Sequence, residues 1–239
     1  MHTARTIMFK EISIILDTTD VDTSFDEIKG KVIDENLLQK ASISGRRKSF
    51  AHLRKAYGLD PDIPIFSALR WAWTVSEESE RPLLALLCAL CRDASLRASA
   101  SYILTLPVGT IVEKQVLSSG LERAFPNAYS PGVVESMTRN LLSSWTQSGH
   151  LHGFQNKSRA KASSHAGSTV FALYIASLTG LQGRTLFESP WVRALDATDR
   201  ERQDSIHLAS RRGWVKYHES GGMMEITLTP EIFAGVRSP

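Results

Sequence analysis

The chain has 239 residues, 42% of them hydrophobic, with 28 Lys and Arg against 25 Asp and Glu for a formal net charge of +3. That is enough apolar side chain for a proper core, and it excludes general disorder. The most apolar run, residues 82–91 between Arg81 and Arg92, is too short to cross a bilayer and suits a buried helix.

Residues 7–18 predict a short helix with Ile7, Met8, Ile12, Ile15 and Leu16 on one side. Ser24 followed by Glu27 has capping-box spacing and predicts a helix through about residue 39, with Phe25, Ile28, Val32, Ile33 and Leu37 apolar. A third helix is expected over 44–57, with Phe50, Leu53, Ala56 and Tyr57 at helical spacing. Gly58 and the turn Asp60-Pro61-Asp62 stop it. Further helices follow at 64–75, 82–92, 95–104 and 112–123, with Leu106-Pro107-Val108-Gly109 as a break. No stretch so far alternates as a strand, so residues 1–125 read as a helical bundle.

Ser130-Pro131 supplies an N-cap and a proline at the first helical position of a helix to about residue 148. Its one face carries Val133, Val134, Met137, Leu141, Leu142 and Trp145, and Gly149 ends it. A strand is expected over 150–154, then a basic loop over 155–164, and a helix over 169–179. Residues 186–191 turn into a short helix. Thr198 or Asp199 then caps a helix to about Arg212, which Gly213 ends. Residues 214–218 alternate as a strand, Glu219-Ser220-Gly221-Gly222 is a turn, and 223–229 is the returning strand that Pro230 ends. Helix, strand, turn, strand is the order of a recognition helix and its wing. Residues 131–165 offer the same order less clearly. The fold class expected is therefore mainly α with small β wings: a helical N-terminal domain, 1–125, and a winged-helix region, 126–239, in one unit or in two (126–165 and 166–239).

Charge is unevenly distributed. Residues 1–36 carry four basic and eight acidic side chains, whereas 37–58 carry Lys40, Arg46, Arg47, Lys48, Arg54 and Lys55 with no acid. No acid lies between Glu135 and Glu188, while Arg139, Lys157, Arg159, Lys161 and Arg184 fall in that gap. Two acid-free basic stretches suit a polyanion-binding surface; the plainer explanation is a solvated face that acids balance in space. The DNA-contact candidates are the six cations of 37–58, then Arg139, Asn140, Lys157, Arg159, Lys161, Arg211 and Arg212.

No phosphate-loop, nucleophile-elbow, zincin or dinucleotide-binding motif occurs. Cys88 and Cys91 lie in a leucine-rich helical stretch and read as small buried apolar side chains. His150 and His152 alternate, so a strand would point both to one side. Without a third ligand they read as exposed or backbone-bonded rather than zinc-binding. No catalytic residue, metal or cofactor is expected. Residues 1–9 lack the apolar core of a signal peptide, so a cytoplasmic location is expected. Of the five tryptophans, most are expected in the core.

The run Asn36-Leu37-Leu38-Gln39-Lys40-Ala41-Ser42, followed by Arg46-Arg47 and His52-Leu53-Arg54, resembles the N-terminal part of BrxA, the small A component of the BREX phage-defence systems. The order of later elements is also similar, through the leucine-rich helix 82–92 and as far as Gly149-His150-Leu151. The likeness covers 25 to about 155, is most specific in its first thirty residues, and does not extend to 165–239. It implies a helical region joined to a winged-helix fold, double-stranded DNA binding, and other defence-system proteins as partners. A docking subunit without DNA contact is the alternative.

Overall fold

The computed structural model describes residues 2–220, 223–229 and 233. It is mainly helical, with two small antiparallel two-stranded sheets. In chain order the elements are α1 (Phe9–Thr18), α2 (Phe25–Ile33), α3 (Ile43–Tyr57), α4 (Pro64–Val75), α5 (Arg81–Arg92), α6 (Ala94–Ile103), α7 (Lys114–Ala124), α8 (Pro131–Gln147), β1 (Leu151–His152), β2 (Ser158–Arg159), α9 (Ala166–Leu178), α10 (Pro190–Arg193), α11 (Asp199–Arg211), β3 (Val215–Ser220) and β4 (Met223–Leu228). Short 3-10 turns at Glu78–Glu80 and Gly183–Glu188 complete them.

The leucine-rich run forms α5, the central helix. Every residue from Leu83 to Leu90 is at most 1% exposed, as befits a helix apolar all round. It packs against α1, α3, α4, α6, α8 and α9. α9 is the second buried helix and touches α4, α5, α10 and α11. Buried apolar side chains from Ile7 to Phe233 join in one core, drawn from both sides of residue 125. Trp71, Trp73, Trp145 and Trp191 are buried in it, as expected of most tryptophans, while Trp214 is half-buried. No described helix is long and apolar enough to cross a membrane.

Several boundaries differ from the sequence expectation: α9 begins at Ala166 rather than 169, the expected strand 150–154 is only Leu151–His152, and the expected loop 155–164 contains β2. α2 stops at Ile33 rather than running to residue 39, because Asn36 and Gln39 take positive φ (58° and 51°) that a helix cannot accommodate. Residues 109–112, expected to break one helix and begin the next, instead run alongside β2. The Gly109 and Val112 amides donate to the Arg159 and Lys157 carbonyls at 2.8 Å, and Ile111 pairs with Ser158 antiparallel. This segment, β2 and β1 therefore lie side by side, in that order. The alternation that would betray a strand is absent because the segment is so short.

β1 and β2 form a hairpin whose tip turns at Gly153, with φ +96°. β3 and β4 pair in register from Val215↔Leu228 to Ser220↔Met223. The expected turn glycines Gly221 and Gly222, and Pro230, lie outside the described residues. Trp214, just before β3, packs edge-on against Trp71 of α4 with centroids 5.3 Å apart.

Candidate nucleic-acid interface

The approach to α3 is set locally. The Asn36 Oδ1 accepts the Lys40 N–H at 2.8 Å, and Ser42 caps α3 by accepting the Gly45 N–H at 3.1 Å. The run Asn36–Ser42 thus ends α2 and starts α3. From there α3 turns Ser49, Phe50, Leu53, Ala56 and Tyr57 into the core. Its opposite side presents Ser44, Arg47, Lys48, Ala51, Arg54 and Lys55, all exposed. From Ser44 to Lys55, about eleven steps of 1.5 Å, such a stripe is about 16 Å long. Arg54 also stacks over the Phe25 ring at 4.9 Å. Among the described residues none of Arg47, Lys48, Arg54 and Lys55 has a carboxylate partner. Burial, together with the charges of Arg5 and Lys55, lowers the His52 pKa, consistent with a positive local field.

Arg46 and Lys40 behave differently. The Arg46 guanidinium folds back onto the Ile33 and Asp34 carbonyls. Lys40 Nζ pairs with Glu11 at 2.9 Å. Lys40 and Asn140, a hundred residues apart in sequence, meet in one cleft of about 600 Å³ between residues 4–11, the start of α3 and α8. Asn140 spends its Nδ2 on the His2 carbonyl at 2.8 Å.

The stretch 139–161, expected to suit a polyanion-binding surface, is acid-free in sequence but not in space. Arg139 pairs with Glu135 one turn away at 3.3 Å. Arg159 is 1% exposed and bonds Asp196 at 2.6 Å, so it is a buried ion-pair residue rather than a loop cation. Lys161 holds both carboxylate oxygens of Glu201, at 2.5 and 2.7 Å. Lys157 donates to Thr146 Oγ1 at 2.8 Å, and burial and the Lys114 charge lower its pKa. Arg211 and Arg212 are exposed at the end of α11, with Arg212 stacked 4.8 Å over Trp214.

His150 and His152 do not share a side, contrary to the strand expectation, because β1 begins only at Leu151. His150 is buried between Ser148 Oγ and the Ala194 carbonyl, each 2.9 Å away, whereas His152 is exposed and meets Ser158. Burial, offset in part by the Ala194 carbonyl and Asp196, pushes the His150 pKa down to about 4. Burial also raises both cysteine thiols, Cys91 to about 12, which fits unreactive packing residues.

Sequence reading missed one constellation. Ser144 Oγ lies 2.7 Å from His2 Nε2, and His2 Nδ1 lies 3.1 Å from Asp93. The order is that of a nucleophilic triad, but all three side chains are at most 4% exposed. Ser144 Oγ already accepts the Ile7 N–H and donates to the Asn140 carbonyl. The group acts as a clasp that fastens residues 2–7 onto α8. Burial alone would raise the Asp93 carboxyl, but His2 and Ser95 outweigh it and hold Asp93 well below the usual carboxylate range. No spacing signal could reveal residues this far apart. Compared with known proteins, the chain matches no family model and no curated relative.

Proposed function

We propose that this protein is a non-catalytic, duplex-DNA-binding accessory protein of a bacterial phage-defence system of the BREX kind. The observation that carries the DNA reading is the unpaired stripe of α3. Arg47, Lys48, Arg54 and Lys55 share one exposed side, with only Ser44 and Ala51 between them. Phosphate contacts of this sort supply affinity without reading sequence. The defence-system reading rests on the BrxA resemblance, whose most specific run leads directly into this helix.

The chain order also supports two winged-helix units. In 94–160, α6, the strand segment 109–112, α7, α8, β1 and β2 follow in turn, with the first strand segment beside the last. In 166–229, α9, α10, α11 and the β3–β4 hairpin follow. On this reading the first unit begins near α6, well before residue 126.

The test is a gel shift with duplex DNA across a salt series. Binding at low salt that weakens steeply as salt rises is expected. The double variant R47E/K48E should lose at least about tenfold in affinity. Absent binding, or binding indifferent to salt, overturns the reading.

One observation favours the docking alternative for the first winged unit. Its contact candidates Arg139, Lys157 and Arg159 are engaged internally, while Phe154 at the hairpin tip is 91% exposed, with Val108 and Ile111 at 65% and 62%. Exposed apolar side chains on a small sheet suit a protein partner. Co-purification with another defence protein that survives nuclease and high salt, and that F154A abolishes, would establish it.

A further inference from the structure

The flank of α3 beside the basic stripe, carrying Ser42, Gly45 and Ser49, forms one wall of the 600 Å³ cleft. Residues 4–11 form the second wall, and Asn140 and Gln147 of α8 the third. Ser49 is only 4% exposed and lines this cleft, and among the described residues its hydroxyl has no hydrogen-bond partner. Its oxygen is not fully enclosed, so the hydroxyl is open to the cleft, where a ligand can accept its hydrogen bond. Arg5 and Lys10 also line the cleft, both exposed and, among the described residues, neither paired with a carboxylate. Lys40 is there too, balanced by Glu11. The first turn of α3 adds the positive end of a helix dipole.

The wall that bears Arg5 is held in place. The Ile7 N–H donates to Ser144 Oγ and the Phe9 N–H to Gln147 Oε1, each at 3.0 Å, while the Tyr57 hydroxyl donates to the Ile7 carbonyl. Arg5 therefore sits between the His2 clasp and these anchors, already positioned at the cleft.

We infer that this cleft binds a phosphate monoester, with Arg5 and Lys10 neutralising the dianion and the Ser49 hydroxyl donating to one of its oxygens. Two unpaired cations match the two charges of a monoester better than the single charge of a phosphodiester. The cleft also exceeds what bare phosphate needs and falls in the usual size range of small-ligand pockets, about 300–1,000 Å³. The Glu11 carboxylate can accept from a hydroxyl on the rest of the ligand. Either a free nucleotide-sized molecule or the phosphorylated end of a nucleic-acid strand supplies this chemistry. The inference stands apart from the duplex-binding role of the stripe.

The experiment is a titration of the isotopically labelled full chain, followed by amide NMR, with inorganic phosphate, AMP and adenosine. Phosphate and AMP should move the Gly45 and Ser49 amide signals, and adenosine should not. R5A and K10A, both at exposed positions, should keep the native spectrum and each weaken AMP binding about tenfold, as expected for loss of one charge-assisted contact. R47E should leave AMP binding unchanged while weakening duplex binding, so the two readings fail separately. A short 5′-phosphorylated oligonucleotide that binds the cleft more tightly than AMP assigns the site to strand ends. AMP binding at least as tightly assigns it to a free small ligand. No shift of the cleft amides by AMP up to about 10 mM, an equal response to adenosine, or unchanged AMP affinity in both variants overturns the proposal.

Discussion

His150 is an imidazole whose protonation is opposed by its surroundings. Its pKa in the folded chain, about 4, lies below the ordinary value of 6.5. The unfolded chain therefore binds the proton more readily, and stability is full above pH 6.5 and falls as pH drops towards 4. Between pH 7 and pH 5 this one residue should remove about 2 kcal/mol of folding free energy. Urea unfolding at the two pH values measures it, and H150Q, neutral throughout, should flatten the slope. Asp93 acts in a different window: held well below the carboxylate range, it stabilises above the unfolded carboxylate pKa and loses that contribution only in strong acid. Arg159 shows why residue type alone misleads. Removing it in R159M would leave the Asp196 carboxylate, 19% exposed, without its guanidinium. A loss on the order of 3 kcal/mol of unfolding free energy is expected from urea titration, with duplex affinity unchanged where the variant remains folded.

At the scale of elements, α3 and the β1–β2 hairpin differ in what their cations do. α3 places its bases as two adjacent pairs seven residues apart on one exposed side, so helical geometry separates them from the core. In R47E/K48E the dependence of log affinity on log salt should become shallower by about two units, one for each lost phosphate contact. R139A and K161A should change affinity by less than about twofold, because those charges are already paired with Glu135 and Glu201. The hairpin depends on Gly153, where an added Cβ would lie 2.2 Å from the Asn156 carbonyl oxygen at φ +96°. G153A should cost on the order of 2 kcal/mol locally, seen as faster amide exchange at Leu151 and Arg159 with α5 protection retained. The elements themselves were largely legible: the Ser24 capping box, Pro64, Gly58 and the Thr198 cap all lie where their chemistry predicts. The strand segment 109–112 was not, because its pairing depends on residues nearly fifty positions away.

For the whole molecule, α4 and α9 are the decisive contact. α4 buries Ile65, Phe66, Ala68, Leu69, Trp71 and Trp73, and its neighbour α9 comes from beyond residue 125. Their approach is close: a Cβ on Gly167 would lie 2.0 Å from Ser76 Oγ. Heat or urea should therefore unfold the chain in one transition, with tryptophan fluorescence and far-ultraviolet circular dichroism coincident. A fragment of residues 1–125 should expose the apolar side of α4 and fail to give a dispersed amide spectrum. Two resolved transitions, or a folded fragment, would contradict this.

The amino-acid sequence by itself determined the helices, their caps, the buried leucine-rich run and the charge of α3, because each depends on residues within one or two turns of each other. The 3.6-residue period of α3 assigns its buried side to Phe50, Leu53, Ala56 and Tyr57 without reference to any partner. Only the tertiary structure decided which cations are free. Whether a lysine or arginine faces solvent or a carboxylate depends on what folds against it, and Glu135, Asp196 and Glu201 take up three of the bases expected at the surface. The clasp of His2, Asp93 and Ser144 and the cleft beside it are likewise products of packing, assembled from chain segments whose spacing in sequence carries no trace of their meeting.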